Sequence, residues 1–440
     1  MVGRRASMFG CSISRCALAL TMAWGGFARA GAQPLVPPMP PANTEVGDTP
    51  RFSLGDALRL MRVSHPAIRS RENEIAARRG DAKDAGLWTN PVTHGTYLKG
   101  IVHSSYDPLG YLYYDVTQFV ELSNVPGERR RQSNLLVAAS RADREGVVAQ
   151  LSLDVESALI DLVAAHRTQE LLTGVLTLLD SAGRIVNERV AAGAAPRYDA
   201  TRIAVTLAIA HADQAESGAA LTRAWAEFRA AVGPRARELQ GDPDYDLNVE
   251  VALPDVPSLL QHMQARRPDV AAARAREAAA KTGIGVAQRS VFPGLEVGLA
   301  GGYGAASKQV DFGALVSLPL PVVNVGQGAI PAAKARAREA AADVDAIVVP
   351  ASERIDGIQH EVLRRRQALK EYQARGVASN EEMLNEAQAG YVAGRFSILE
   401  LADAYRAFRD ARLREIALGQ SARQSEIDLG RELGRPLREF

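Results

Sequence analysis

The chain has 440 residues, with 52 Lys and Arg against 51 Asp and Glu, a formal charge of +1, and only 5% aromatic residues. This near-neutral balance excludes a surface built for nucleic acid. Few aromatics, beside long tracts of Ala, Arg, Glu and Leu, suit extended helices better than the two or three ordinary globules that length alone would allow.

Residues 1–30 read as a signal peptide: Arg4 and Arg5, an apolar run from Cys16 to Phe27, then Ala28-Arg29-Ala30 as a small-x-small cleavage site. A twin-arginine route is the alternative, and the residues flanking the Arg pair fit it poorly. The segment takes four of the 52 basic residues and no acid, leaving 48 against 51, or −3. Cys11 and Cys16 both fall inside it, so the mature chain is expected to carry no thiol, disulfide or lipid anchor. Residues 31–50 form a Pro-rich N-terminal tail. No later apolar run approaches the ~20 residues of a membrane-spanning helix, so any contact with a membrane falls to strands.

From Arg51 the chain repeats itself with a period of about two hundred residues. "HPAIRSRENEIAARRGDAKDAGLWTNP" matches "RPDVAAARAREAAAKTGIGVAQRSVFP", "VTQFVELSNV" matches "VSLPLPVVNV", and Gly193 matches Gly394. Repeat 1 spans 51–232, an equatorial linker 233–255, repeat 2 256–434, and a C-terminal tail 435–440. Each repeat opens on a helix of about 36 residues, 53–88 or 257–291, closed by Pro91 or Pro293.

Two alternating segments follow in each repeat, 92–102 and 111–122, then 294–303 and 311–321. One face of the second segment reads Leu112, Tyr114, Val116, Gln118, Val120, Leu122; its counterpart reads Phe312, Ala314, Val316, Leu318, Leu320. Strands of about ten residues fit a tilted crossing of a membrane, and Tyr97, Tyr106, Tyr111, Tyr113, Tyr303 and Phe312 cluster near strand ends as an aromatic girdle would. A soluble hairpin with one wet face is equally open on this pattern.

The helices decide between the two. From Val125 to Ala192, Leu151, Val155, Ala158, Leu162, Ala165, Leu172, Leu176 and Leu179 make a coiled-coil seam from which only Gln169 departs. About 68 residues make a rod on the order of 100 Å. A Gly break and a return helix, Arg197 to Val232, follow. Two shorter helices stacked end to end balance the long one, giving a needle with strands at one end and a Gly turn at the other. Pro350 lies inside the second descending helix without a counterpart in the first half, and a kink is expected there. Four strands cannot close a membrane barrel, so assembly is implied; three chains would supply twelve.

These features resemble the TolC-like outer-membrane efflux family over essentially all of the chain after the tail. The resemblance implies a mainly α fold with membrane β: long coiled-coil hairpins in two tandem repeats plus four strands per chain. A homotrimer would complete a 12-strand barrel in outer-membrane lipid and a 12-helix tunnel in the periplasm. It further implies a passive exit duct that docks a periplasmic adaptor (membrane fusion protein) and an inner-membrane RND transporter. "LWTNP" and "FVELSNVPGERRRQ", with Pro126-Gly127-Glu128-Arg129-Arg130-Arg131, are similar to the heavy-metal (cobalt-zinc-cadmium) branch, which implies metal cations as cargo. The second half departs from that segment with "VGQGAIPAA".

The resemblance places Gly193, Gly394 and Arg395 at the periplasmic tip where the adaptor docks, Asp199 and Tyr391 in a latch between hairpins, and Glu400 and Asp403 in an acidic constriction. Phe396 stands where the family has its basic latch residue, and Arg395 precedes it.

The seven His (His65, His94, His103, His166, His211, His262, His360) show no metal-site spacing; His94 and His103 flank the first strand turn, where they could touch a cation. "GLAGGYG" and "NVGQG" lack a phosphate-cradle pattern, and no acid-base or nucleophile constellation appears, so neither cofactor nor enzyme is expected. The rival classes are a periplasmic adaptor, which carries one hairpin rather than two in tandem, and a purely structural coiled coil.

Overall fold

The computed structural model describes residues 50–99, 110–248, 251–291 and 294–439. The expected signal peptide, both cysteines, the tail up to residue 49, His103, Tyr106 and Pro293 lie outside the described residues. The elements run β1 (Arg51–Ser53), α1 (Leu54–Ser64), α2 (Pro66–Asp84), β2 (Val92–Leu98), β3 (Tyr111–Val120), α3 (Val125–Ala191) and α4 (Arg197–Val232). The second half follows as β4 (Asp242–Asp244), α5 (Val256–Arg266), α6 (Pro268–Arg289), β5 (Leu295–Gly304), β6 (Gln309–Ser317), α7 (Ala329–Tyr372), α8 (Ala378–Val392) and α9 (Ile398–Leu433). The protein is mainly helical, and the same order of pieces occurs twice.

The two opening helices are not continuous. Each is cut in two, before Pro66 and before Pro268, where His65 (φ −69°, ψ 126°) and Arg267 (φ −65°, ψ 122°) turn extended. Proline bars its predecessor from helical geometry and brings no N–H of its own. His65 then caps α2, its Nδ1 accepting from the Ala67 N–H at 3.3 Å.

The long helix α3 has 67 residues, about 100 Å of rod. Val155, Leu162, Leu172 and Leu179 of the expected seam are buried, and Leu151, Ala158, Ala165 and Leu176 pack against the same cores. Gln169 breaks the seam because it meets a polar partner: Ser217 of α4, buried, donates its hydroxyl to Gln169 Oε1. The second long helix passes Pro350 with helical hydrogen bonding on both sides. At residues 373–377 it changes to a π turn before α8 resumes.

Partway along the rod the linker is more ordered than its Gly, Pro and Asp content suggests. Strand β4 pairs in parallel with β1, Arg51 to Asp242 and Ser53 to Asp244. Phe52 of β1 packs against Trp225 and Phe228 of α4 at ring-centroid distances of 5.8 and 5.5 Å. Below lies a buried polar network. Glu156 accepts from the Tyr245 hydroxyl at 3.1 Å and pairs with Arg438 at 3.1 Å; Glu426 receives Arg423 at 2.6 Å and Arg366 Nε at 2.8 Å; Arg423 Nε also reaches the Leu247 carbonyl. Charges this deep persist only when fully paired, so the network ties α3, α7, α9, the linker and the C-terminal turn to one another.

The four longer strands form one antiparallel sheet in the order β2-β3-β5-β6. Its centre joins the two halves, from Tyr111 opposite Gly304 to Val120 opposite Leu295. Strand β6 runs 309–317 rather than 311–321, because Lys308 takes a left-handed φ of 52° and starts it early. The register puts Leu112, Tyr114, Val116, Val297, Leu299, Val310, Phe312 and Val316 on one face, all exposed, Phe312 by 82%. The opposite face holds His94, Asp115, Thr117, Glu296, Asp311 and the small residues Gly298, Ala300, Gly302 and Gly313, together with Val92, Leu98, Tyr111, Tyr113, Phe119 and Leu315. His94 lies within β2, not at the strand turn, and its Nδ1 stands 3.0 Å from Asp115 Oδ2.

Candidate functional site

At the end of the rod away from the sheet, α3 turns into α4 and α8 into α9. Both turns use one device. Gly193 (φ +71°) and Gly394 (φ +72°) occupy the left-handed region that an L side chain avoids. The Gly193 N–H donates to the Val190 carbonyl at 3.1 Å and the Ala194 N–H to Arg189 at 2.8 Å. In the second turn Gly394 donates to Tyr391 at 3.0 Å and Arg395 to Gly390 at 2.8 Å. These paired bonds satisfy the last carbonyls of each helix and reverse the chain within five residues.

The following helices start differently. Pro196 precedes α4 without a side-chain cap, whereas Ser397 heads α9 in a reciprocal capping box with Glu400. The Ser397 N–H donates to Glu400 Oε2 at 2.6 Å and its hydroxyl to the same oxygen at 2.9 Å. Those donors, backbone first, hold the Glu400 carboxyl below the usual range, so it stays ionised. Asp403, one turn on, is exposed with Arg406 at 3.7 Å. Glu400 and Asp403 thus share one exposed side of the first turns of α9, Glu400 held by its cap.

Tyr391 is buried in the tip core with Val186, Ile203, Ile398 and Leu401. Its hydroxyl has no hydrogen bond of ordinary length among the described residues, although burial and then the nearby Asp199 charge raise its pKa. Arg189 of α3, which the sequence did not single out, lies against the same residue. Its guanidinium stacks over the Tyr391 ring at 5.0 Å and its Nη1 donates to the Tyr391 carbonyl at 2.5 Å. Arg189 therefore places a cation between the carbonyl ends of α3 and α8, where both helix dipoles favour one. Arg395 is exposed, and its structural contact is the backbone bond to Gly390.

Residues 259–435 match the family model described as outer membrane efflux protein. The fold agrees along nearly the whole chain. The crystal structure of the outer membrane protein VceC of Vibrio cholerae superposes with a TM-score of 0.69 at 19% identity, covering 87% of this chain and 96% of that one. CusC, whose crystal structures concern folding and transmembrane channel formation, superposes with a TM-score of 0.70 at 16% identity, covering 91% and 97%. The second half of the chain thus resembles outer membrane efflux proteins. Among curated proteins the chain is similar to the cobalt-zinc-cadmium resistance protein CzcC of Cupriavidus metallidurans, 25% identical over 365 residues, 82% of this chain and 86% of that one. No described helix is long and apolar enough to cross a membrane.

Proposed function

We propose that three copies of the chain close a twelve-strand barrel in the outer membrane and a twelve-helix tunnel in the periplasm. The duct passes substrate outward from an inner-membrane RND pump and a periplasmic adaptor. The observation that carries this reading is the sheet: one face is apolar and exposed, the other mixes small and polar residues with Val92, Leu98, Phe119 and Leu315, and its outer strands β2 and β6 each leave an edge unpaired among the described residues. Exposed edges beside an apolar face need another strand to cover them, and in a membrane only a closed barrel does so completely.

The cargo in this reading is a heavy-metal cation, supported by the similarity to CzcC. At the tip, Gly193, Gly394 and Arg395 form the turns that meet the adaptor, Asp199 and Tyr391 the latch, and Glu400 with Asp403 a ring of six carboxylates in the trimer. Fixed negative charge at a constriction favours cations over anions. The test is conductance of the purified protein in planar bilayers. Glu400→Gln with Asp403→Asn removes the charge while leaving an amide able to serve the Ser397 cap, and should reduce cation preference. Stepwise conductance with unchanged ion selectivity would refute the ring; no conductance at all would refute the pore.

A further inference from the structure

The two faces of the sheet continue below the strands onto different sides of the rod. Glu121, which follows β3 in the row of Asp115 and Thr117, pairs with Arg129 of α3 at 3.4 Å, so Arg129 stands on the side opposite the apolar face. Leu122 extends the apolar row and is exposed. Gln118 of that row donates its amide to the Thr89 carbonyl at 2.8 Å, which holds the turn before β2 on the apolar side. That turn leaves Leu87 66% and Trp88 58% exposed. Below β6, Leu318, Leu320 and Val322 are exposed as well. An apolar skirt of this extent calls for a partner other than water.

Cations lie directly beneath it. The stem of Arg130 rests on the same turn, since a Cβ at Gly86 would stand 2.8 Å from its Cδ. Arg131 comes about 200° round α3 from Arg129, and so takes the apolar side. In the second repeat, Ala333 and Ala337 of α7 are buried where α6 packs alongside, as α2 packs beside α3 at Arg130. Lys334 and Arg338 each come one residue later, which puts them on the side of Arg131 because the repeat keeps its hand. Arg130, Arg131, Lys334 and Arg338 are all exposed, and none pairs with an acid among the described residues.

The depth agrees with a membrane surface. Arg131 lies six residues into α3 and Lys334 five into α7, so both stand ~8–9 Å down the rod. Long stems let such heads reach up into a headgroup layer ~5–8 Å thick while their methylenes stay on apolar surface. The first acids down this face are Glu145 and Asp345, about two turns or more beyond the cations. The face is therefore apolar, then basic, in the order that a lipid presents chain and phosphate.

We propose that this collar binds anionic phospholipids, with Arg130, Arg131, Lys334 and Arg338 on their phosphates and the acyl chains on Leu87, Trp88 and Leu122. This rests on the outer-membrane reading above and adds a class of lipid to it. Unpaired cations beside apolar surface favour a net negative headgroup over a zwitterionic one. The test uses the full-length chain with Trp225→Phe, which leaves Trp88 as the one Trp beyond residue 30, reconstituted in phosphatidylcholine vesicles. Phosphatidylglycerol or phosphatidylcholine with brominated acyl chains is included as an equal, minor fraction. Brominated phosphatidylglycerol should quench Trp88 several-fold more than brominated phosphatidylcholine, and the excess should shrink as salt rises. Arg130→Gln with Arg131→Gln should abolish the excess, Lys at both positions should keep it, and Arg129→Gln on the other side should leave it unchanged. Equal quenching by the two lipids, an excess that survives the Gln pair, or its loss in Arg129→Gln overturns the collar and leaves the membrane reading standing. Loss of the excess to inorganic phosphate at constant ionic strength overturns the lipid as its occupant. No quenching by either lipid in protein that floats with the vesicles does the same, by showing the face covered by protein. Chain that stays out of the vesicles overturns the outer-membrane reading and the collar with it.

Discussion

The guanidinium of Arg189 reaches a carbonyl at the end of one helix and the face of an aromatic ring, and it does so from the last turn of another helix. Arg189→Met keeps most of the stem but loses both contacts. It should destabilise the tip by about 1 kcal/mol and raise the resting conductance of the reconstituted channel, while Arg395→Met leaves that conductance unchanged. Nothing in the sequence marks Arg189, because an Arg in an Arg-rich helix acquires its partner only where two helix ends cross. Glu400 was legible, since Ser397-x-x-Glu400 is a capping box in plain sight, yet its charge drew attention before its cap did. His166 was likewise one scattered histidine among seven until β4 came beside it. Its Nδ1 stands 3.5 Å from Glu170 and its Nε2 3.4 Å from Asp242. The hydrogen bond to Glu170, then the two carboxylate charges, raise its pKa above the ordinary 6.5 against the opposing effect of burial. A raised folded value means the stabilisation is complete below 6.5 and lost as pH climbs through that higher value. Thermal melting should therefore fall as pH rises from about 6 to about 8, and His166→Gln should flatten that slope.

At the scale of elements, periodicity was informative where it was long. The seam of α3 and the return helix α4 have the ends that apolar spacing and the Gly turn indicate. The opening helices were read too long because Pro66 and Pro268 sit within an otherwise helical pattern, and the local bar on the preceding residue outweighs the pattern around it. The π turn at 373–377 had no signal, being a matter of how α7 passes the linker: Gln373 there donates to Asn248 and to Glu415. The two glycine turns were read from sequence as helix reversals and have the geometry for it. Gly193→Ala and Gly394→Ala should each cost about 1–2 kcal/mol, entirely through backbone conformation, because an added Cβ meets nothing at Gly193 and only an ordinary contact at Gly394. Circular dichroism melts would show the loss, with strand content unchanged.

The whole molecule divides by chemistry along its length: apolar outward on the sheet, apolar inward on the rod. Alternation in the strands made the two faces readable before any register was known, since shifting a strand by one residue would reverse them. Phe312→Asp, on the apolar face, should cost about 2–4 kcal/mol and abolish heat-resistant assembly in detergent gels. Gly313→Asp, its neighbour on the polar face, should leave assembly intact. The equatorial network of Glu156, Glu426, Arg366 and Arg423 was not readable in this way, because its members come from distant segments and only burial makes them partners.

The sheet's central seam has a consequence for how the molecule is made. Strands β3 and β5 come from different halves, Tyr111 lying opposite Gly304, while β2 with β3 and β5 with β6 are local hairpins. Each hairpin can form as soon as it emerges, but the join must wait until β5 ends at Gly304, some two thirds of the way along the chain, and bears the entropy of closing a very long loop. Until then four edges are open rather than two. The interval between emergence of the first hairpin and arrival of the second is therefore when this protein is most exposed to mispairing, and most in need of a chaperone that masks strand edges.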